Sequence, residues 1–229
     1  RACATSGRER TRPQEDTVTP DSTAPALPPT VTSRTGPGGL DVLTVENDHG
    51  TAEVYLQGAH VTAWAPTGEE PVLWLSSTSG FEPGAAIRGG IPICFPWFGP
   101  RAGHPGSPAH GYARRTVWTL VDAHDDEDGT VLRLALPAPT DADLAEYAGL
   151  VVHYEVRVGR TLDVALAVSN AGDAPVRVEE AQHTSLRVDD VEVTSVHGLE
   201  DVAFVDKTAP AGTEPLRAPE GEALVPQGQ

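Results

Sequence analysis

Short segments with strand character, each ended by a turn signal, follow one another from Leu40 onward and limit the folds open to this 229-residue chain. In VVHYEVRV, the apolar residues Val152, Tyr154, Val156 and Val158 alternate with polar ones, as in a strand with one buried face. TVWTLVDAHDDEDGTVLRLALP has the pattern of a hairpin around an acidic turn. Further segments of this kind are LDVLTVEN, TAEVYLQG, HVTAWAP, PVLWLS, TLDVALAVSN, APVRVEEAQHTSLRV, DVEVTSV and DVAFVDK. The pattern predicts an all-β sandwich or barrel-like fold, with TDADLAEYAG as the one candidate helix.

Residues 1–38 differ from the rest because they are rich in Pro, Ser, Thr, Gly and Arg and have almost no apolar clusters. Such a segment buries too little surface to offset its ordering entropy. We therefore predict a disordered leader over 1–38 and a single domain over 39–229. The chain contains no Met, and its last residues, APAGTEPLRAPEGEALVPQGQ, hold at most one weak strand, EALV. We expect a partial product that is incomplete at its C-terminus.

The charge and the cysteines narrow the possible partners and the compartment. A formal net charge of −17 argues against general nucleic-acid binding, which needs a basic surface. No apolar run approaches the ~20 residues of a membrane helix. Cys3 lies in the predicted leader, so we do not expect a disulfide with Cys94, and this favours a reducing compartment. We expect a cytoplasmic monomer.

The residues from Pro83 to Val121 include no Asp or Glu, although they include Arg88, Arg101, Arg114 and Arg115. In so acidic a chain, this window is a local positive region that can attract an anionic ligand. The planar guanidinium of arginine can donate two hydrogen bonds at once to a phosphate or carboxylate. Glycines beside Arg88 would let backbone N–H groups approach such a ligand. The other interpretation is that the arginines lie on the surface and that the apolar residues of IPICFPWF form core.

His110 and His183 are the candidates for proton transfer, because histidine can gain and lose a proton near neutral pH. In VRVEEAQHTSLRV, His183 has the opposite parity to Val176, Val178, Leu186 and Val188. It is therefore predicted to point away from the apolar face, into a cleft or simply to solvent. His49, His60, His104, His124, His153 and His197 are weaker candidates. No pair has the spacing of zinc ligands, so no metal is expected.

Several motifs together resemble one family: GAHVTAW, VLWLS, FEPGAAIRGGIPICFPWFGP, PAHGYAR, EEAQHTSLRV and GLEDVAFVDK. They are similar to the hexose-6-phosphate mutarotases, also called glucose-6-phosphate 1-epimerases, which are relatives of aldose 1-epimerase. The match runs in order from about Gly39 to Lys207. It implies a β-supersandwich of galactose-mutarotase type and interconversion of the α and β anomers of an aldohexose 6-phosphate.

The resemblance also implies roles for individual residues. Its phosphate- and sugar-binding arginines correspond to Arg88 and Arg114, and the histidine of its HGxAR motif corresponds to His110, in the sugar site. Its catalytic histidine corresponds to His183. The aspartate that contacts sugar hydroxyls corresponds to Asp206, which charge and parity do not indicate. The reaction needs a proton donor and a proton acceptor on opposite sides of the ring, and no metal or organic cofactor.

One element of the family pattern has no counterpart before Gln229. The family pairs its histidine with a glutamate in the last strands, and Glu214, Glu220 and Glu222 lie too early to be assigned this role. We therefore expect the chain alone to be a poor catalyst. Two alternatives remain open: a non-catalytic module that binds sugar phosphates, and an epimerase of unphosphorylated sugars.

Overall fold

The computed structural model describes residues 25–198, 202–204 and 216–217. The first sheet contains four antiparallel strands in chain order: β1 (Val31–Thr35), β2 (Asp41–Asn47), β3 (Gly50–Tyr55) and β4 (His60–Pro66). The side chain of Asn47 forms the turn between β2 and β3, since its Oδ1 accepts the N–H groups of His49 at 2.9 Å and Gly50 at 3.1 Å. Asparagine favours turns because it can hydrogen-bond the backbone two residues onward.

The second sheet also contains four antiparallel strands in chain order: β6 (Thr119–Asp126), β7 (Gly129–Ala135), β8 (Leu150–Val158) and β9 (Leu162–Asn170). Strands β6 and β7 form the predicted hairpin, with Asp126 opposite Gly129 at its turn. Gly129 has a φ of 141°, a backbone conformation that side chains with a Cβ rarely adopt. The sequence prediction of this hairpin is confirmed.

The hydrophobic core lies between the two sheets, because β2 contacts β7 and β3 contacts β8. Both sheets contribute fully buried side chains: Val45, Val54 and Val61 from the first, and Leu132, Leu134 and Tyr154 from the second. In β8, Val152, Tyr154, Val156 and Val158 are buried, which confirms the predicted alternation. The chain is therefore an all-β sandwich. On β9, Val164 and Leu166 are partly buried against the core, whereas Val168 is 39% exposed.

The long connection between β4 and β6 carries the arginine segment and lies against the first sheet. It includes β5 (Ile93–Cys94), which pairs antiparallel with β10 (Ala181–Gln182), and a 3₁₀ helix over Ala113–Arg115. An isolated antiparallel bridge between Val61 and Ile91 joins the connection to β4. The candidate site is thus placed beside a rigid sheet.

The prediction of a disordered leader is wrong for the last part of residues 1–38. Strand β1 lies inside that range and pairs with β2, from Val31 opposite Val45 to Thr35 opposite Asp41. Of its five residues, Val31 alone is buried. Main-chain hydrogen bonding to β2 therefore orders this polar segment, although its composition predicts disorder. Residues 1–24 of the predicted leader lie outside the described residues.

Several other predicted elements differ in type. PVLWLS forms no strand and makes isolated bridges, Leu73 to Leu186 and Leu75 to Gly89. Most of DVEVTSV is not extended either: a 3₁₀ helix covers Val191–Val193, and the side chain of Asp190 caps it by accepting the N–H of Glu192. The candidate helix is also 3₁₀, over Ala142–Tyr147.

The end of the described chain contains two more short strands. β11 (Ala203–Phe204) pairs antiparallel with β12 (Leu216–Arg217). The predicted weak strand EALV lies outside the described residues. Within the described ranges, no helix has the length and apolar character needed to cross a membrane.

Candidate functional site

The segment over residues 86–100 forms the backbone of the candidate site. Its middle, from Ile91 to Trp97, is buried. On one side it pairs with β10 through β5, and on the other Phe95 forms a parallel bridge with Gly111. The interpretation of IPICFPWF as core is therefore confirmed for its buried residues. The arginine at its start and the loop that packs on its end can still serve a ligand.

The backbone on both sides of Arg88 is held by hydrogen bonds while its side chain is exposed. The Arg88 N–H donates to Ser79 Oγ at 2.9 Å, and the Ser76 N–H donates to the Arg88 carbonyl at 3.2 Å. The Gly90 N–H donates to the Trp74 carbonyl at 2.7 Å. When Arg88 binds an anion, its backbone therefore loses little further entropy, and the entropic cost falls on the side chain.

The glycines after Arg88 are required for close packing, and the prediction that their N–H groups are open to a ligand is wrong for Gly90. Gly89 and Gly90 have φ values of 96° and 62°. A Cβ on Gly89 would lie 2.5 Å from the Trp74 carbonyl oxygen, and a Cβ on Gly90 would overlap the Val61 carbonyl. The sequence requires glycine here because neighbouring backbone approaches closely, and the N–H of Gly90 is already bonded.

His110 lies in a tight loop closed against Gly99. Its own φ is 66°, an uncommon value for a residue with a Cβ. The His110 N–H donates to the Gly99 carbonyl at 2.8 Å, and His110 Nδ1 accepts the Gly99 N–H at 3.2 Å. The Phe98 ring meets the imidazole edge-on, with centroids 4.8 Å apart. Because Nδ1 is the acceptor, the neutral ring carries its proton on Nε2.

Arg114 combines partial burial with a donor that has no partner among the described residues. Its Nη2 donates to the Ala109 carbonyl at 2.9 Å, while its Nε is buried without a hydrogen bond. Burial lowers the pKa of the guanidinium, with a smaller opposing effect from Cys94. A buried donor without an acceptor is uncommon in folded proteins, so this side chain is a candidate to bind an anion.

His183 is exposed, and its backbone is tied to the arginine segment. The His183 N–H donates to the Pro92 carbonyl at 3.1 Å, and the Ser185 N–H donates to the Gly90 carbonyl at 2.8 Å. The Trp74 N–H in turn donates to Ser185 at 2.9 Å. The loop that bears Arg88 and the segment that bears His183 are therefore neighbours.

The parity argument for His183 is not confirmed in the described structure. Of the side chains predicted to face the core, Leu186 is 61% exposed and Val188 is 43% exposed, whereas Val176 is partly buried against the core. Residues on both faces of this segment are thus exposed. Its short pairing with β5 covers Ala181–Gln182, so alternation does not separate a buried face from an open one.

The acid-free window is less positive in space than in sequence. Arg101 is a buried residue whose Nη2 lies 2.7 Å from Glu146 Oε1, so a carboxylate from another segment neutralises it. Arg115 donates to the Gly84 carbonyl at 2.6 Å. Glu179 Oε2 accepts the N–H of Phe98 at 3.1 Å and brings negative charge to the window. Burial and the ion pair with Glu146 thus leave Arg101 less available to a ligand than the exposed Arg88.

Four of the five predicted site residues lie on or beside the segment over 86–100: Arg88, His110, Arg114 and His183. Arg88 lies within it, the backbone N–H groups of His110 and His183 donate to it, and Arg114 follows Ala113, whose N–H donates to the Phe95 carbonyl. Asp206 lies outside the described residues. A cavity of about 540 Å³ lies beside this region, and Trp97, Arg101, Tyr112 and Arg115 contribute to its lining, which includes none of the four. This cavity is therefore separate from the four predicted site residues.

His60, a weaker candidate from the sequence, lies directly under the Arg88 loop. Its ring is fully buried, and its Nε2 lies 2.7 Å from the Gly89 carbonyl oxygen. Burial lowers the pKa of His60 to about 4, although the hydrogen bond to Gly89 opposes the shift. Alternation could not have marked it, because His60, Val61 and Thr62 at the start of β4 are all buried. Within the described ranges, no group of three or more His, Cys, Asp or Glu residues could hold a metal ion.

Comparison with known proteins agrees with the fold and with the motifs. A family model described as aldose 1-epimerase matches residues 41–221. A curated protein of Escherichia coli (strain K12), named "Putative glucose-6-phosphate 1-epimerase", is 40% identical over 168 residues, which are 73% of this chain and 55% of that protein. A protein of the same name from Salmonella typhimurium (strain LT2) is 36% identical over 177 residues, 77% of this chain and 58% of that one. The chain thus spans a little over half the length of these relatives.

A solved structure extends the comparison to three dimensions. The crystal structure of a "putative mutarotase (YeaD)" from Salmonella typhimurium matches with a TM-score of 0.73 at 35% identity, over 83% of this chain and 62% of that one. The β-sandwich is therefore of mutarotase type, as the motifs predicted. Since the family model covers most of the sequence and the folds agree, this chain belongs to the aldose 1-epimerase family.

Proposed function

We propose that this chain carries the phosphosugar-binding half of an enzyme that interconverts the α and β anomers of an aldohexose 6-phosphate, most simply glucose 6-phosphate. The observation that carries the proposal is the half-buried guanidinium of Arg114, whose Nε has no partner among the described residues, near a loop that presents exposed Arg88. The names of the related proteins support the same substrate. A cytoplasmic location, which the cysteine content favours, is part of the proposal.

The proposed roles follow from the chemistry of ring opening. A base removes the proton of the C1 hydroxyl while an acid protonates the ring oxygen, the aldehyde end rotates, and the roles reverse on closure. His183, with its exposed ring, is proposed as one of these two groups. His110 and Asp206 are proposed to hold sugar hydroxyls. Arg88 and Arg114 bind the phosphate, which is remote from C1, so they position the sugar and take no part in proton transfer.

The test is calorimetric titration of the purified chain with glucose 6-phosphate. Arg88→Ala and Arg114→Ala each remove charge-assisted hydrogen bonds of ~1.5–3 kcal/mol, so each should weaken binding roughly ten- to hundredfold. Arg160→Ala, which removes an exposed arginine from the turn between β8 and β9, is the matched control and should bind as the wild type does. Unchanged affinity in both variants would place the anion elsewhere.

A second experiment separates an enzyme from a non-catalytic binding module. Anomer exchange of glucose 6-phosphate, followed by NMR at neutral pH, should be accelerated by a protein that contains the complete site. In that protein, the equivalent of His183→Asn should remove the acceleration, since losing one positioned acid or base costs ~10²–10⁴-fold in rate. The melting temperature should change little because the ring is exposed. A large fall in stability with retained exchange would contradict the role. Free glucose as substrate tests the unphosphorylated alternative.

A further inference from the structure

The imidazole of His60 is buried and has a hydrogen bond at one of its two nitrogens. It is the first residue of β4, and its ring is completely buried. The acceptor at Nε2 is a carbonyl oxygen, which cannot donate, so Nε2 carries the proton. Nδ1 is buried and has no hydrogen-bond partner within the described residues. A buried polar side chain that leaves one atom unpaired incurs a desolvation penalty, so its other hydrogen bond calls for a functional explanation.

The carbonyl that His60 holds is the one directly after Arg88. Other polar groups of this turn are bonded elsewhere: the Arg88 N–H to Ser79 Oγ, the Arg88 carbonyl to the Ser76 N–H, and the Gly90 N–H to the Trp74 carbonyl. The Gly89 carbonyl instead accepts from the His60 side chain. With a positive φ at Gly89 and at Gly90, the orientation of the peptide between them is not fixed by ordinary backbone preferences. The Gly89–Gly90 peptide is thus held at both of its polar groups, its N–H by Trp74 and its carbonyl by the His60 imidazole.

The ring is also in close contact with the turn. A Cβ on Gly90 would lie 3.0 Å from His60 Nε2, so the imidazole leaves space for a bare Cα alone. Arg114 is near enough that its charge contributes to keeping His60 neutral. A neutral ring can hold the turn without attracting the anion away from the two guanidinium groups.

We propose that His60 is a positioning residue for the phosphosugar: its Nε2–H···O=C bond to Gly89 holds the Arg88–Gly90 turn in the conformation from which Arg88 meets the phosphate. This inference rests on the proposed function, because it assigns the phosphate to Arg88. It goes further in naming a residue that touches neither substrate nor reacting atoms.

The test is a double-mutant cycle on the affinity for glucose 6-phosphate, measured by calorimetry on the purified chain. His60→Met removes the donor and should weaken binding about tenfold. His60→Gln, whose amide nitrogen can reach the same carbonyl, should restore affinity to within about threefold of wild type. In an Arg88→Ala background, His60→Met should cost almost nothing more, whereas in an Arg114→Ala background it should cost the full factor of about ten.

A merely structural histidine would give a different pattern. In that case His60→Met would lower the affinity by the same factor in the Arg88→Ala and Arg114→Ala backgrounds, and this result overturns the inference. The inference is also overturned if His60→Gln binds as weakly as His60→Met. If His60→Met does not fold, His60→Asn replaces it, since its amide is too short to reach Gly89. Wild-type chain that does not bind glucose 6-phosphate overturns the proposed function as well. Binding with the wrong coupling pattern overturns the role of His60 alone.

Discussion

Acidification should weaken the folded state through His60, and the amount can be worked out from its environment. The pKa of His60 is lowered from 6.5 to about 4, first because burial penalises the charged ring. Between these two values, the unfolded chain takes up a proton at His60 while the native protein does not. Lowering the pH therefore favours unfolding. The stability associated with the neutral ring is complete above pH 6.5 and is lost progressively towards pH 4.

The expected magnitude follows from one pKa unit corresponding to about 1.4 kcal/mol. At pH 5.5, one unit below the unfolded value, His60 should reduce the free energy of unfolding by about 1.4 kcal/mol relative to pH 7.5. A glutamine at this position can keep the hydrogen bond to Gly89 but cannot titrate. The stability difference between wild type and His60→Gln should therefore shift by about 1.4 kcal/mol in favour of the variant between the two pH values.

Urea titrations of both proteins at pH 7.5 and pH 5.5 measure this shift directly. Other groups titrate in both proteins and cancel in the difference. His104→Gln, which replaces an exposed loop histidine, is the matched control for the loss of a histidine at the surface. If the wild type and His60→Gln lose stability in parallel, His60 is not held neutral by burial, and the reasoning fails.

Two further predictions concern stability away from the arginine turn. Glu146→Ala removes the carboxylate that pairs with the Arg101 side chain, which is 6% exposed. The free energy of unfolding, measured in urea, should fall by about 3 kcal/mol. A loss within error of zero would show that stability does not depend on this ion pair. Gly111→Ala places a Cβ on the Phe95 carbonyl and should cost more than ~3 kcal/mol. Gly103→Ala, with a similar φ of 76° but open space around it, should cost about 1–2 kcal/mol, and equal losses in the two variants would refute the steric argument.

Local pattern was sufficient for the strands that are paired along their whole length. The alternation in β8 and the acidic turn between β6 and β7 report directly on which side chains face the core, because side-chain direction in a strand repeats every two residues. Segments with little pairing could not be predicted in this way. PVLWLS and DVEVTSV have strand composition, yet in the described structure they form bridges and a 3₁₀ turn. β1 shows the reverse case, in which main-chain pairing orders a polar segment.

The sequence by itself determined the all-β class, the motifs of the family, and the residue types on which the proposed function depends, because these follow from local periodicity and from side-chain chemistry. Tertiary structure alone decided which arginines remain available. Glu146 is 45 residues from Arg101 along the chain, and its ion pair with that arginine depends on the packing of distant segments. The same holds for His60, which meets Gly89 across 29 residues. Hydrogen bonds and charges act over a few ångströms in space, so their partners follow from the fold and not from neighbouring positions in the chain.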